Sequence, residues 1–142
     1  MMVMVDTPVW SHLLRRAPKN LNPEEWMVRT ELSELIREDR ARMIGPVRQE
    51  LLSGVRSDQQ FEQLRDYLEP YQDVPLATED YEEAAHASNK CRAAGVAGSS
   101  VDFLICAVAV SHQWPIFTTD RDFVAYARRL PIRLHSPRPG LV

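Results

Sequence analysis

Cysteine is nearly absent: Cys91 and Cys106 are the only two in 142 residues. They lie far apart, each inside a helical pattern, with no second pair beside them. This rules out a disulfide framework and a thiolate metal site, and leaves two buried thiols as the expectation. His12, His86, His112 and His135 are scattered, with no His-x3-His or related spacing to hold a transition metal. No apolar run approaches the ~18–20 residues of a membrane span, so no membrane role is expected. The apolar start, Met1–Val5, is short and runs straight into Asp6. It has neither the basic lead nor the length of a signal peptide, and a cytoplasmic location is the expectation. Lysine is scarce too. Of 17 basic residues only Lys19 and Lys90 are lysines; the other 15 are arginines. A net charge of −3 argues against wholesale coating of nucleic acid. The planar arginine fork, however, suits phosphate and carboxylate better than a lysine point charge. Arg15–Arg16, Arg37/Arg40/Arg42 and Arg128–Arg129 cluster locally, and a solvated helix end is the ordinary reading of any one of them.

What is present reads as a globular chain, 44% apolar and 26% charged. The length suits one domain with a real core, spanning 1–142, with the Pro/Arg-rich stretch 136–142 expected to be a frayed tail. "MMVMV" (1–5) reads as a short buried strand. A helix follows, with Thr7 as N-cap and Pro8 at its first position. "NPEEWMVRTELSELIRED" (22–39) is a second helix, capped by Asn22 and acidic in its first turn. "RMIG" (42–45) is a second strand leading into a helix through Pro46, and "SDQQFEQLRDYLEPY" (57–71) another capped helix. "DVPL" (73–76) is a weak third strand, and the long helix over 78–95 ends at Gly95. "VDFLICAVAVSHQ" (101–113) is a helix apolar on nearly every side, so it is expected to be buried. "PIFTT" is a fourth strand, "DRDFVAYARRL" a short helix and "IRLHS" (132–136) a last strand. Strand and helix alternate throughout. The predicted fold class is α/β, a three-layer α/β/α domain with a mostly parallel central sheet.

In an open parallel sheet, functional groups collect outside the carboxyl ends of the strands. Asp6 follows the first strand directly, and Asp120 and Asp122 follow the fourth. Glu50 lies about one turn into the helix after the second strand. Asp102 opens the apolar helix that precedes the fourth strand, which aims it at the same edge. Singly, each has an ordinary reading. Asp6 can start a helix, Asp102 and Asp122 can complement a helix dipole, Asp120 can cap, and Glu50 can be solvated. Jointly, acids converging on one edge repel one another unless something cationic offsets them. An oxygen-only set of this kind suits Mg²⁺ or Mn²⁺ and not zinc.

"VDTPVW", "ELLSG", "DFLICAVA" and "TTDRDF", in this order and at these separations, resemble the four signatures of PIN domains. More narrowly, they look like those of the VapC-type toxin ribonucleases of bacterial toxin–antitoxin pairs. The likeness spans nearly the whole chain. It implies metal-dependent hydrolysis of RNA phosphodiester bonds. Asp6, Glu50, Asp102 and Asp120 fall on the family's four acidic positions, and Asp122 on a common fifth. Asp6, Asp102 and Asp120 would hold one Mg²⁺ or Mn²⁺, while Glu50 and Asp122 would place a second ion or orient water. Thr7 matches a hydroxyl usually near the metal water, whereas Pro8 departs from a position where a small residue is common. Over 57–95 the likeness extends only to helical pattern, so no substrate contacts carry over there. The resemblance further implies an RNA substrate, a cognate VapB-like antitoxin and a homodimer. Trp10, Leu13, Leu14, Trp26 and Met27 could line the antitoxin groove, with an ordinary core as the other reading.

Other α/β classes fit less well. A phospho-accepting receiver needs a lysine after a late strand, and Lys19 and Lys90 are both misplaced. A haloacid-dehalogenase-like phosphatase wants Asp-x-Asp after the first strand, and Asp6-Thr7-Pro8 lacks the second acid. A catalytically inactive PIN-like domain that binds RNA or protein is the alternative from another class, although all its acidic positions are filled.

Overall fold

The computed structural model describes residues 1–14 and 18–139; the Arg15–Arg16 pair and positions 140–142 lie outside the described residues. Strand β1 (Val3–Val5) is the centre of the sheet, and each of its three residues is 0% exposed. Burial on both faces explains why it reads as an unbroken apolar run with no alternation. It pairs in parallel with β2 (Ala41–Arg42), Val3 opposite Ala41 and Met4 opposite Arg42. On its other side lies β3 (Ile116–Phe117), also parallel, with Met4 opposite Ile116 and Val5 opposite Phe117. The strand order is therefore β2-β1-β3. Single parallel bridges, Met43 to Asp73 and Ile116 to Leu134, widen the sheet at its two edges. The segments expected as strands at 73–76 and 132–136 thus supply one bridge each. Pro75 removes a ladder donor from the first. The second ends where the chain turns to bring Arg138 to the helix over 23–37.

Seven helices surround these strands among the described residues: α1 (Thr7–Leu14), α2 (Pro23–Arg37), α3 (Gly45–Leu52), α4 (Asp58–Leu68), α5 (Thr78–Ala93), α6 (Ser100–His112) and α7 (Asp122–Ala127). A 3-10 turn, Pro18–Asn20, separates the first two. Helices cover both faces of the sheet, which makes the three-layer α/β/α arrangement. A capping box starts α2. Asn22 Oδ1 accepts from the Glu25 amide at 2.8 Å and Glu25 Oε1 accepts from the Asn22 amide at 3.1 Å, an arrangement worth about 1 kcal/mol. Ser57 caps α4 and Ser99 caps α6 by the one-way bond alone, each hydroxyl accepting an amide three residues on. At α1 the expected cap is displaced by one residue. The Asp6 carbonyl accepts from Val9 and Trp10, so Thr7 is the first helical residue and not the cap.

Helix α6 buries seven residues in succession, Phe103 to Ala109, as its apolar sequence predicts. Its main packing partner is α5, which ends at Gly95 with φ +80, a left-handed turn closed by Val96 N donating to Cys91 O at 2.9 Å. Cys91 on α5 and Cys106 on α6 are free thiols, 0% and 1% exposed, and burial pushes both thiol pKa values up. No described helix is long and apolar enough to cross a membrane.

The tail departs from expectation. Glu31 on α2 is 0% exposed, and its Oε2 lies 2.9 Å from His135 Nε2. The Arg138 amide donates to Glu31 Oε2 and Arg138 Nε to Glu31 Oε1, each at 2.9 Å. The other end of the same guanidinium donates to both oxygens of Glu38. Far from fraying at 136, the chain is fastened through Arg138, because a buried carboxylate needs a cation and the tail supplies it.

Candidate metal centre

Three segments deliver acids to one edge of the sheet. Asp6 leaves the end of β1 with its amide donating to Phe117 O on the neighbouring strand at 2.9 Å. Asp120 follows β3 two residues after Thr118, and Asp122 opens α7. Asp102 lies in the first turn of α6, where its amide donates to the Ser99 cap at 3.1 Å. Carboxylate oxygens of Asp102, Asp120 and Asp122 all lie within 4.8 Å of one another.

Asp6 stands next to this triad and is buried to 4% exposure. Its Oδ1 accepts from the Thr7 amide and its Oδ2 from the Thr118 hydroxyl, both at 2.8 Å. Burial is the main reason its pKa rises from 3.8 to about 6; the two hydrogen bonds pull it back, and repulsion from Asp102 and Asp120 adds to the rise. Among the described residues, no lysine, arginine or histidine forms an ion pair with Asp6, Asp102, Asp120 or Asp122. The Thr7 hydroxyl is buried with no hydrogen-bond partner among the described residues. An oxygen-only donor set, mutual repulsion and an unsatisfied hydroxyl beside it suit a hard dication that keeps part of its water shell.

Glu50 is not part of this group. It is exposed on α3, where the first turn past Pro46 places it. Two contributors went unmarked in the sequence. Thr118 accepts from the Asp120 amide at 3.0 Å while donating to Asp6, so one hydroxyl joins the acids of β1 and β3. Its place at a strand's carboxyl end, two residues before Asp120, was the available signal. The Tyr126 hydroxyl donates to Asp102 Oδ2 at 2.7 Å, and burial followed by that carboxylate pushes its pKa up, so it stays a donor.

The expected partner groove is redistributed. Trp10 is 0% exposed and its ring packs against Tyr71 at 5.3 Å, so it belongs to the core. Leu13 and Leu14, together with Leu64 and Tyr67 of α4, line a groove of about 670 Å³ away from the acids, with Arg29 and Arg56 at its walls. Trp26 and Met27 are 38% and 37% exposed on α2.

No curated protein matches the chain in sequence. Solved structures do match in fold. FitAcB from Neisseria gonorrhoeae superposes with a TM-score of 0.74 at 23% identity, covering 96% of this chain and 98% of that one. VapBC2 from Rickettsia felis, bound to a DNA fragment from their promoter, gives 0.72 at 16% identity over 95% and 98%. VapBC-1 from nontypeable Haemophilus influenzae gives 0.70 at 16% identity over 96% and 98%. The sequence profile of the family described as PIN domain matches residues 3–129, from the start of β1 to past the end of α7 and across all four acids. This chain therefore belongs to the PIN-domain family.

Proposed function

We propose that this chain is a Mg²⁺- or Mn²⁺-dependent endoribonuclease that acts as the toxin of a type II toxin–antitoxin pair. One observation carries the reading: the carboxylates of Asp102, Asp120 and Asp122 converge beside the buried Asp6, and among the described residues none of the four is paired with a cationic side chain. Asp6, Asp102 and Asp120 would hold the ion, and Asp122 reaches the same point. When bound, a divalent cation makes water a better nucleophile at neutral pH and offsets charge building on the phosphate. Thr118 holds Asp6 by one oxygen and the Asp120 backbone by its amide, fixing both before any ligand arrives. The unsatisfied Thr7 hydroxyl is placed to orient water. Glu50, outside the triad, is assigned to water or to a second ion. Exposed Arg121, between two of the acids, would meet the RNA backbone, a contribution that weakens with salt.

The solved neighbours are toxin–antitoxin complexes, and likeness to them supports an antitoxin partner here. The groove, with Leu13, Leu14, Leu64 and Tyr67 beside Arg29, Arg56, Gln60 and Gln63, is of mixed polarity and suits an amphipathic segment of such a partner. A homodimer is proposed on the same likeness.

The test is cleavage of candidate RNAs by wild type and by Asp120→Asn, with and without chelator. Loss of activity in both the variant and the chelated enzyme, with recovery of the wild type on adding Mn²⁺, is expected. Undiminished cleavage in either case would contradict the assignment. Mapping the 5′ ends of cellular RNA after induced expression would then identify the target.

A further inference from the structure

Tyr126 is 0% exposed in the one-and-a-half turns of α7, an apolar helix where phenylalanine would pack as well. Its ring is wedged between Phe103 of α6, 5.0 Å away, and Phe123 of its own helix, 5.1 Å away. Burying a hydroxyl costs free energy unless it is hydrogen-bonded, and here, among the described residues, the one partner is Asp102 Oδ2. Room for that hydroxyl is made by Gly98: a Cβ there would sit 2.2 Å from Tyr126 Oη and 2.8 Å from Cζ. Position 98 therefore excludes even alanine while the tyrosine stays in place.

The bond joins two elements of the same site. Tyr126 and Asp122 share α7, whereas Asp102 comes from α6. The terminal torsion of an aspartate is soft and roughly two-fold, so a carboxylate with no fixed partner samples many orientations. A phenol locked between two rings removes that freedom. It also takes up one lone pair of an Asp102 oxygen and fixes the plane of the carboxylate, which disfavours chelation of one cation through both oxygens. Mg²⁺ and Mn²⁺ sites accept one oxygen per carboxylate in octahedral geometry, whereas Ca²⁺ takes more oxygens and readily binds a carboxylate through both.

We propose that Tyr126 is a positioning residue of the metal centre, its hydroxyl holding Asp102 to one-oxygen ligation and so favouring Mn²⁺ or Mg²⁺ over Ca²⁺. This rests on the metal-dependent reading above. Outer partners of metal ligands typically change affinity or activity about 10–100-fold when removed. For Tyr126→Phe, calorimetry should show Mn²⁺ affinity falling about 10-fold. Competition with Ca²⁺ should show that ion losing less, so that the Mn²⁺/Ca²⁺ ratio narrows. With RNA, kcat should fall and KM hold. In an Asp102→Asn background the same substitution should add no further loss, since the partner is already changed. Should Tyr126→Phe not fold, Gly98→Ala, which displaces the hydroxyl without deleting it, should narrow the ratio in its place. An unchanged Mn²⁺ affinity and ratio in a folded variant, or a fully additive loss with Asp102→Asn, overturns the positioning role alone. A wild-type protein that binds no Mn²⁺ overturns the functional reading and this one with it.

Discussion

Asp6 and Glu31 are the two buried acids among the described residues, 4% and 0% exposed, and their surroundings are opposite in kind. Burial works to raise the Glu31 pKa, but hydrogen bonds from Arg138 and His135 outweigh it and hold the carboxylate below its usual range. Asp6 receives only neutral donors, Thr7 and Thr118, and has Asp102 and Asp120 for neighbours. Compensating a buried charge from within is thus something this chain does, at α2, with a side chain borrowed from more than 100 residues downstream. At the strand ends it does not. The difference separates a carboxylate that fastens the fold from one kept for an external cation.

The largest expected effect comes from neutralising Asp6. Its folded pKa lies above its unfolded one, so the stability associated with the protonated form is complete below pH 3.8 and is lost as pH rises through about 6. Asp6→Asn should therefore stabilise the metal-free protein at pH 8 by up to about 3 kcal/mol and flatten its pH dependence between 4 and 6. Urea titrations across that range measure both. Adding Mn²⁺ should raise the wild-type midpoint at pH 7.5 much more than at pH 5, and leave that of Asp6→Asn nearly unmoved.

Arg138→Ala should act in the opposite direction. Breaking a buried ion pair commonly costs 3–5 kcal/mol, and Arg138 is itself 37% exposed, so a loss of about 2–3 kcal/mol is expected at pH 7. The loss should shrink as pH falls and Glu31 becomes protonated, with Mn²⁺ affinity unchanged. If metal binding fell too, the two regions would not be independent. The smallest effect is expected from Glu50→Gln. An exposed residue outside the triad should alter stability and binding of the first Mn²⁺ within about 0.5 kcal/mol, while RNA cleavage falls.

The sequence was most legible where local rules act alone. Asn22 and Ser57 cap the helices they precede, and Val3–Val5 is as buried as its composition implies. Asp6, Asp120 and Asp122 stand where strand ends and a helix start put them, and the ladder joining β1 to β3 brings the first two together. Contacts between distant residues left no such trace. Nothing in a tail of prolines and arginines announces a salt bridge to a helix 107 positions earlier. Tyr126 looks like any aromatic in an apolar helix until Asp102, 24 residues away, is folded against it. Trp10 resembled a surface anchor because α1 is apolar around much of its circumference, and only Tyr71 reveals it as core.

The two sulfurs in the seam between α5 and α6 give the native chain its own clock. An alkylating reagent can reach Cys91 or Cys106 only when those helices part, since both are at most 1% exposed. Cys106 lies one helical turn beyond Asp102, so its labelling rate reports how often the ligand-bearing helix lifts from its neighbours. Comparing that rate with and without Mn²⁺ would show, with no substitution at all, whether filling the centre quiets the scaffold behind it.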